Sequence, residues 1–384
     1  MNSKIESDRH SRRRISREVD KYWVPIVAKT IELLDCFGST TETLTLEEVV
    51  KRTGIPHTTA FRVLHTLVVC DYLSQSGRRY RLSGLRRRFK FGFANLSKHI
   101  LLAVEIQRSL EKATAAAGID LLVWDNDRNA ETAIHNAEEM VEQKVDLAIE
   151  FQLFEQVAPV ISDILSRARI PLISLVNPHH GTVYFGVNNY RAGFCAGSAL
   201  AEHAIRHWRS EVGALLLLES PRAGRTVQSR LVGALRGLQE RLGPLPEKAV
   251  HHLDGDGDKA TSKAAVANFL KARSRKKVLI VGINDESAIG AVQAVDQAKA
   301  ANDVAIVGHG GSTEIMDFIS DPASSCIGTI SFHAELYGND LLHFALPLAQ
   351  GRSAPAAHYV PHEFLGREAL TRERGGGRLL RRSS

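Results

Sequence analysis

Apolar positions recur along this chain in two textures, one with helical spacing near the start and one of short continuous runs after it. From Trp23 to Phe37, Val27, Ile31, Leu34 and Phe37 return at steps of three and four, which predicts an amphipathic helix closed by Gly38. A second short helix is predicted from Thr45 to Thr53, with Leu46, Val49 and Val50 inward and Gly54 at its end. Ile55-Pro56 makes a tight turn, and a third helix opens with His57, Thr58 and Thr59. Its Ala60, Val63, Leu64, Leu67 and Val68 form a core face, which leaves His57, Thr58, Thr59, Arg62 and His65 on or near the outer one. After Tyr72-Leu73, two extended segments flank Ser76-Gly77, with Arg78, Arg79 and Arg81 at the tip and return strand.

From Lys90 the runs KFGFANL, IDLLVW, DLAIEF, PLISLV, VYFGV, GALLLL, KVLIVG, VAIVG and CIGTIS are separated by helical stretches. Strands buried on both faces lose polar alternation, so nine such runs predict parallel strands in two sheets. The fold class expected is therefore α/β: a winged helix-turn-helix followed by two doubly wound lobes.

Composition refines this picture through the distribution of charge. The chain has 384 residues, 44% hydrophobic and 24% charged, with a net charge of +6. That is the balance of a soluble globular chain too long for one core. Residues 1–90 hold 18 Lys/Arg against 10 Asp/Glu and residues 366–384 hold 6 against 2, while the middle, at 25 against 31, is acidic. Basicity gathered at the ends beside a helix-turn-helix is a nucleic-acid footprint. The turn and third helix suit base edges and phosphates in the major groove, and the basic hairpin suits phosphates or the minor groove. His57, Thr58, Thr59, Arg62, His65, Arg78, Arg79 and Arg81 are the candidate DNA contacts.

Within residues 23–83, Leu46, Glu48, Thr53, Gly54, Pro56, Thr58, Thr59, Arg62, Leu64, Tyr72, Leu73, Tyr80 and Leu82 fall in a pattern that resembles the IclR-type DNA-binding domain. Residues 89 to about 365 resemble instead the ribose-type periplasmic binding proteins and the effector domains of LacI-type repressors. The segments that carry this are FGFANLS, IPLISLVN, FGVNNYRAG, SRLVGALRGL and VLIVGINDESAIGAVQA, in that order. The resemblance implies a ligand cleft at the carboxyl ends of the strands. Candidate effector residues are Asn95, Ser97, Lys98, Glu150, Gln152, Asn177, Asn188, Arg222, Gln228, Asn284, Asp285, His309 and Phe332. Amides, carboxylates and aromatic rings are what polyol recognition uses. Where sugar-binding relatives carry Asp-Arg after the fourth strand this chain has Val176-Asn177; a cleft Arg position falls at Gln228; and the Asp of a G-x-D-G turn is Gly310.

The expected organisation is a basic arm at 1–20, the winged helix at 21–83, a linker at 84–88, the two-lobed domain at 89–365 and a disordered basic tail at 366–384. Lobe one is placed at 89–187 and 332–355, lobe two at 188–331 and 356–365. Cys36, Cys70, Cys195 and Cys326 show neither a disulfide framework nor zinc spacing. Asp254, Asp256 and Asp258 begin like a calcium loop, but Lys259 and Ala265 stand at the required Gly and closing carboxylate. The pairs His179-His180 and His251-His252 lack ligand spacing, Gly308, Gly310 and Gly311 lack the Lys-Ser/Thr of a phosphate loop, and no catalytic set stands out. No metal, cofactor or catalytic residue is expected, and neither export signal nor membrane span. The function expected is a cytoplasmic, homodimeric transcription regulator that binds a double-stranded operator and a small polar effector. The alternatives are a body that only dimerises, a transport-type solute receptor and an enzyme.

Overall fold

A computed structural model describes residues 23–38, 42–70, 72–83, 89–272 and 277–374, and its contacts divide the chain after Arg88 into two units. The expected arm and linker lie outside the described residues, as does the tail beyond residue 374.

The first unit runs α1 (Pro25–Asp35), β1 (Thr43–Thr45), α2 (Leu46–Thr53), α3 (His57–Val69), β2 (Leu73–Ser76) and β3 (Arg79–Leu82). Thr45 starts α2 with a capping box: its hydroxyl accepts from the Glu48 amide at 3.3 Å, and the Glu48 carboxylate accepts from the Thr45 amide at 2.7 Å. Gly54 stops the helix at φ +69°, the left-handed turn that lets the chain double back into α3. β2 and β3 form an antiparallel hairpin around Gly77, and β1 pairs on the outer side of β3. Ala60, Val63, Leu64 and Leu67 of α3 pack with Leu33, Val49 and Tyr80. The N-terminal turns of α1 lie outside this core, so Val27 and Ile31 are exposed and Leu33 and Phe37 hold the helix.

The second unit begins with β4 (Lys90–Asn95), α4 (Leu101–Ala117), β5 (Asp120–Asp125), α5 (Ala130–Glu142), β6 (Leu147–Phe151), α6 (Ala158–Arg167), β7 (Leu172–Leu175) and β8 (Val183–Val187). It continues with α7 (Asn189–Trp208), β9 (Ala214–Glu219), α8 (Gly224–Leu242), β10 (Val250–Asp254), α9 (Lys259–Lys271), β11 (Val278–Gly282) and α10 (Asp285–Gln297). It closes with β12 (Val304–Gly310), α11 (Thr313–Ser320), β13 (Cys326–Ser331), α12 (Tyr337–Ala349), β14 (Ala357–Val360), β15 (Glu363–Gly366) and α13 (Arg367–Arg374). One six-stranded sheet, all parallel, has the order β14-β8-β7-β6-β4-β5; the other, β10-β9-β11-β12-β13-β15, is parallel except for β15. Central strands such as β6, β11 and β12 are buried throughout, which is why they read as unbroken apolar runs.

Two boundaries differ from expectation. Residues 357–360, placed with lobe two from the sequence, form β14 and pair parallel with β8 in the first sheet. Residues 367–374, expected to be disordered, form α13: Leu370 is buried in the second lobe's core, and Arg367 donates to the carbonyls of Ile319 and Asp321.

Helices α7 and α8 touch backbone to backbone through Gly193, Gly197, Gly233 and Gly237. A Cβ on Gly193 would lie 1.7 Å from the Arg230 carbonyl oxygen, and one on Gly233 would lie 2.0 Å from that of Tyr190. Only glycine permits this approach, and it sets where α8 carries Arg230.

Candidate functional site

In the first unit, Thr58, Arg62 and His65 stand on α3 at helical steps of four and three, on the face opposite the buried Ala60, Val63, Leu64 and Leu67. His57 is exposed at the helix start and Thr59 is half-buried. Thr58, Thr59 and Arg62 line a groove shared with Ile26 and Thr30 of α1. Phe61, exposed and stacked on His65 with ring centroids 6.3 Å apart, joins the outer face without having been expected there. At the hairpin, Arg78 and Arg81 are exposed. Arg79 is exposed as well, and its guanidinium also donates to the Thr43 carbonyl at 3.2 Å and lies 3.7 Å from the Glu48 carboxylate.

In the second unit a cleft of about 70 Å³ opens where the carboxyl ends of the strands of both sheets meet. On the lobe-two side, β11 runs into α10, whose N-cap Asn284 accepts from the Ser287 amide at 2.9 Å and donates to the Gly257 carbonyl at 2.8 Å. Asp285 accepts from the Thr329 hydroxyl at 2.6 Å and the Ser312 amide at 2.7 Å, and burial raises its carboxyl above the usual range. His309 on β12 has Nδ1 at 2.8 Å from the Gly282 carbonyl, and burial lowers it to about 3, so the ring is neutral. Phe332 lies beneath these groups and does not line the cleft.

Arg230 is the residue that the sequence reading passed over. Its guanidinium is buried, donates to Asn189 at 2.7 Å and to the Ile283 carbonyl at 2.8 Å, and lies 4.8 Å from the centre of the Phe332 ring. Burial pulls it down to about 10, which still leaves a cation at neutral pH facing the cleft. The Arg position assigned to Gln228 is two residues away on α8; Gln228 does not line the cleft, and its amide oxygen is buried without a partner.

Lobe one departs further from expectation. Asn95 donates to the Ala103 carbonyl and to Gln107. Glu150 accepts from Asn126 at 2.8 Å and, buried with its other oxygen unpartnered, is pushed up to about 8. The Gln152 amide meets His179 at 2.8 Å, Ser97 accepts from the His99 amide, and Asn177 is buried. None of these five lines the cleft; their chain neighbours Leu96, Phe151, Leu153 and Val176 do. Successive side chains of an extended chain point to opposite sides, so a one-residue offset exchanges polar for apolar. Lys98 is exposed beside Asp125 at 3.9 Å, Asn188 caps α7, and Arg222, which does not line the cleft, pairs with Asp256, which does.

Among the described residues, four hydrogen-bonded residue pairs join the lobes across the cleft. The Leu101 amide donates to Glu286 at 2.9 Å, the Thr313 amide to Glu105 at 3.1 Å, the Arg128 guanidinium to the Asp256 carbonyl at 2.7 Å and the Arg225 amide to Glu155 at 2.6 Å. Glu286, buried at one of these contacts, is pushed up to about 7. Asp254 accepts from the Asp256 amide and Asp258 caps α9, which is what the loop's alternating acids do.

Comparison with known proteins gives two family matches: the periplasmic binding protein domain over residues 92–353 and the IclR helix-turn-helix domain over residues 26–77. Among solved structures, an ABC transporter periplasmic solute binding protein from Actinobacillus succinogenes 130z with bound D-allose is similar at 20% identity and a TM-score of 0.65. The match covers 74% of this chain and 99% of that one. A solute binding protein from Bacillus halodurans C-125 with bound myo-inositol matches at 16% identity and a TM-score of 0.65, over 76% and 99%. A protein from Mycobacterium smegmatis in complex with β-D-fucofuranose matches at 18% and 0.66, over 75% and 94%. No curated protein matches the chain.

Proposed function

Because the chain belongs to the periplasmic binding protein domain family and carries an IclR helix-turn-helix domain ahead of that region, we propose that it is a sequence-specific DNA-binding transcription regulator. Its effector is a small polar molecule of the sugar or sugar-like class, taken up between the two lobes. The observation that carries this reading is the presence on one chain of an outward stripe, Thr58, Arg62 and His65, and of an inter-lobe cleft bearing Arg230, Asn284 and Asp285. The chain acts in the cytoplasm as a homodimer on a two-fold operator, with Arg62 at base edges or phosphates and Arg78 and Arg81 at phosphates. Effector that binds one lobe arrangement more tightly shifts the equilibrium between arrangements, and DNA affinity follows by linkage. Neither an export role nor catalysis is needed to account for these parts.

The test is selection of duplexes from a random DNA pool by the full-length chain, followed by titration of the enriched duplex with and without D-allose, myo-inositol and related polyols. Arg62→Ala is expected to weaken the enriched duplex by about 1–3 kcal/mol, and Arg81→Ala to lower the slope of log affinity against log salt by about one. A pool that shows no enrichment sinks the reading.

A second reading, a body that dimerises without sensing, draws on the small cleft and the four contacts that hold the lobes together. It requires a DNA affinity that no small molecule alters.

A further inference from the structure

The two walls of the cleft differ in chemistry. Lobe two contributes the polar Ser220, Arg230, Asn284, Asp285, His309 and Ser312, interleaved with the apolar Ala223, Val227 and Ile283, so its wall is mixed. Lobe one contributes Leu96, Ile100, Leu102, Phe151, Leu153 and Val176; its polar exception, Arg128, is held by Asp256 of the other lobe. At the strand ends of lobe one, Asn95, Glu150 and Gln152 are bonded within that lobe, and neither they nor Asn177, whose buried amide nitrogen has no partner, line this surface. A fully hydroxylated ring enclosed here would satisfy one edge and leave the hydroxyls of the other against hydrocarbon, stripped of water and unpaired.

Val176 adds a second, independent sign. Its φ is +64°, and the Asn177 amide reaches back to the Leu175 carbonyl at 2.6 Å, the geometry of a tight three-residue turn. A β-branched residue is disfavoured in this left-handed region, and such strain concentrates where a site requires a particular side chain.

We propose that the effector is amphipathic: a hydroxyl-bearing head held by Arg230, Asn284 and Asp285, and an alkyl, aryl or deoxy face lying on the Leu96–Phe151–Leu153–Val176 wall. This rests on the sensor reading above. The experiment titrates the full-length protein, by calorimetry and thermal shift, with matched pairs: phenyl β-D-glucopyranoside against D-glucose, phenyl β-D-galactopyranoside against D-galactose, L-fucose against L-galactose and L-rhamnose against L-mannose. D-Allose and myo-inositol are added as plain polyols.

In at least one pair the apolar member is expected to bind tenfold or more tightly than its parent. Val176→Asn should narrow that gap, and because Asn tolerates a positive φ better than Val, part of the cost of a polar amide at this buried position is offset. Leu153→Asn, at a half-buried position, should narrow it as well. Parents that bind as tightly as their partners, or a gap that neither variant changes, overturn the proposal and leave the sensor reading standing. Failure of every compound, D-allose and myo-inositol included, overturns the sensor reading and this inference together.

Discussion

Asn284 and Asp285 at the head of α10 and Asn95, Glu150 and Gln152 at the strand ends of lobe one are all polar side chains beside one cleft, yet they are disposed of in opposite ways. On lobe two the carboxylate and amide are held by backbone and hydroxyl partners and still line the cleft. On lobe one the side chains bond inward, Glu150 to Asn126 and Asn126 in turn to Asn136, and the apolar neighbours form the surface. A helix N-terminus brings polar side chains and free amides to the same place, whereas a buried strand end sends alternate residues to opposite faces. The number of polar residues near a cleft therefore does not measure its polarity.

The comparison is broken most severely on the polar side by Arg230→Ala. It strips the cation from Phe332 and leaves Asn189 and the Ile283 carbonyl without a donor, at an expected cost of about 4 kcal/mol in denaturant unfolding. Arg230→Met, which keeps the volume, should lose less. Next comes Gly193→Ala, which sets a methyl against the Arg230 carbonyl and must part α7 from α8. About 2–3 kcal/mol is expected, together with loss of whatever ligand affinity Arg230 supplies. Retained affinity in Gly193→Ala would show that the glycine contact does not position Arg230.

These two residues also mark where the sequence stops being informative. All nine apolar runs are strands, β4 to β9 and β11 to β13. In the central ones burial on both faces leaves a signal in composition alone, whereas β5 is an apolar run at a sheet edge with none of its residues fully buried. The core face of α3 was legible from its apolar spacing of three and four residues. β10 and β14 carry mixed burial at sheet edges and gave no apolar run. Arg230 was missed by two residues, which on α8 is a rotation of about 200° and the difference between the cleft and the far side of the helix. In lobe one an error of a single position exchanged Glu150 for Phe151. Residue types near strand ends were readable; their directions depend on packing that no local pattern encodes.

Glu150→Gln tests the lobe-one side. Burial holds Glu150 at about 8, above the ordinary carboxylate range, so the folded chain retains a proton that the unfolded chain releases. The stability this provides is full below the ordinary range and is lost as pH rises toward about 8, with a slope of at most about 1.4 kcal/mol per pH unit. Glu286 adds a similar loss up to about 7. Gln keeps an oxygen for Asn126 and cannot ionise, so unfolding midpoints measured from pH 5 to pH 8.5 should fall less steeply in the variant. Parallel curves would mean that Glu150 is not protonated in the fold.

The smallest effect expected separates the two duties of Asn284. Its Oδ1 caps α10 through Ser287, and its Nδ2 ties that cap to the Gly257 carbonyl in the loop before α9. Asn284→Ala removes both and should cost about 1 kcal/mol in the urea midpoint. Asn284→Ser restores a capping oxygen without the tether. If Ser recovers most of the loss, the cap supplies the stability and the amide's donor is available to a ligand in exchange for Gly257. If Ser is as damaging as Ala, the bond to Gly257 holds the polar wall together, and a ligand that displaced it would loosen the loop carrying Asp256, the partner of Arg128 across the cleft. Effector binding would then work against lobe closure at the residue that recognises it.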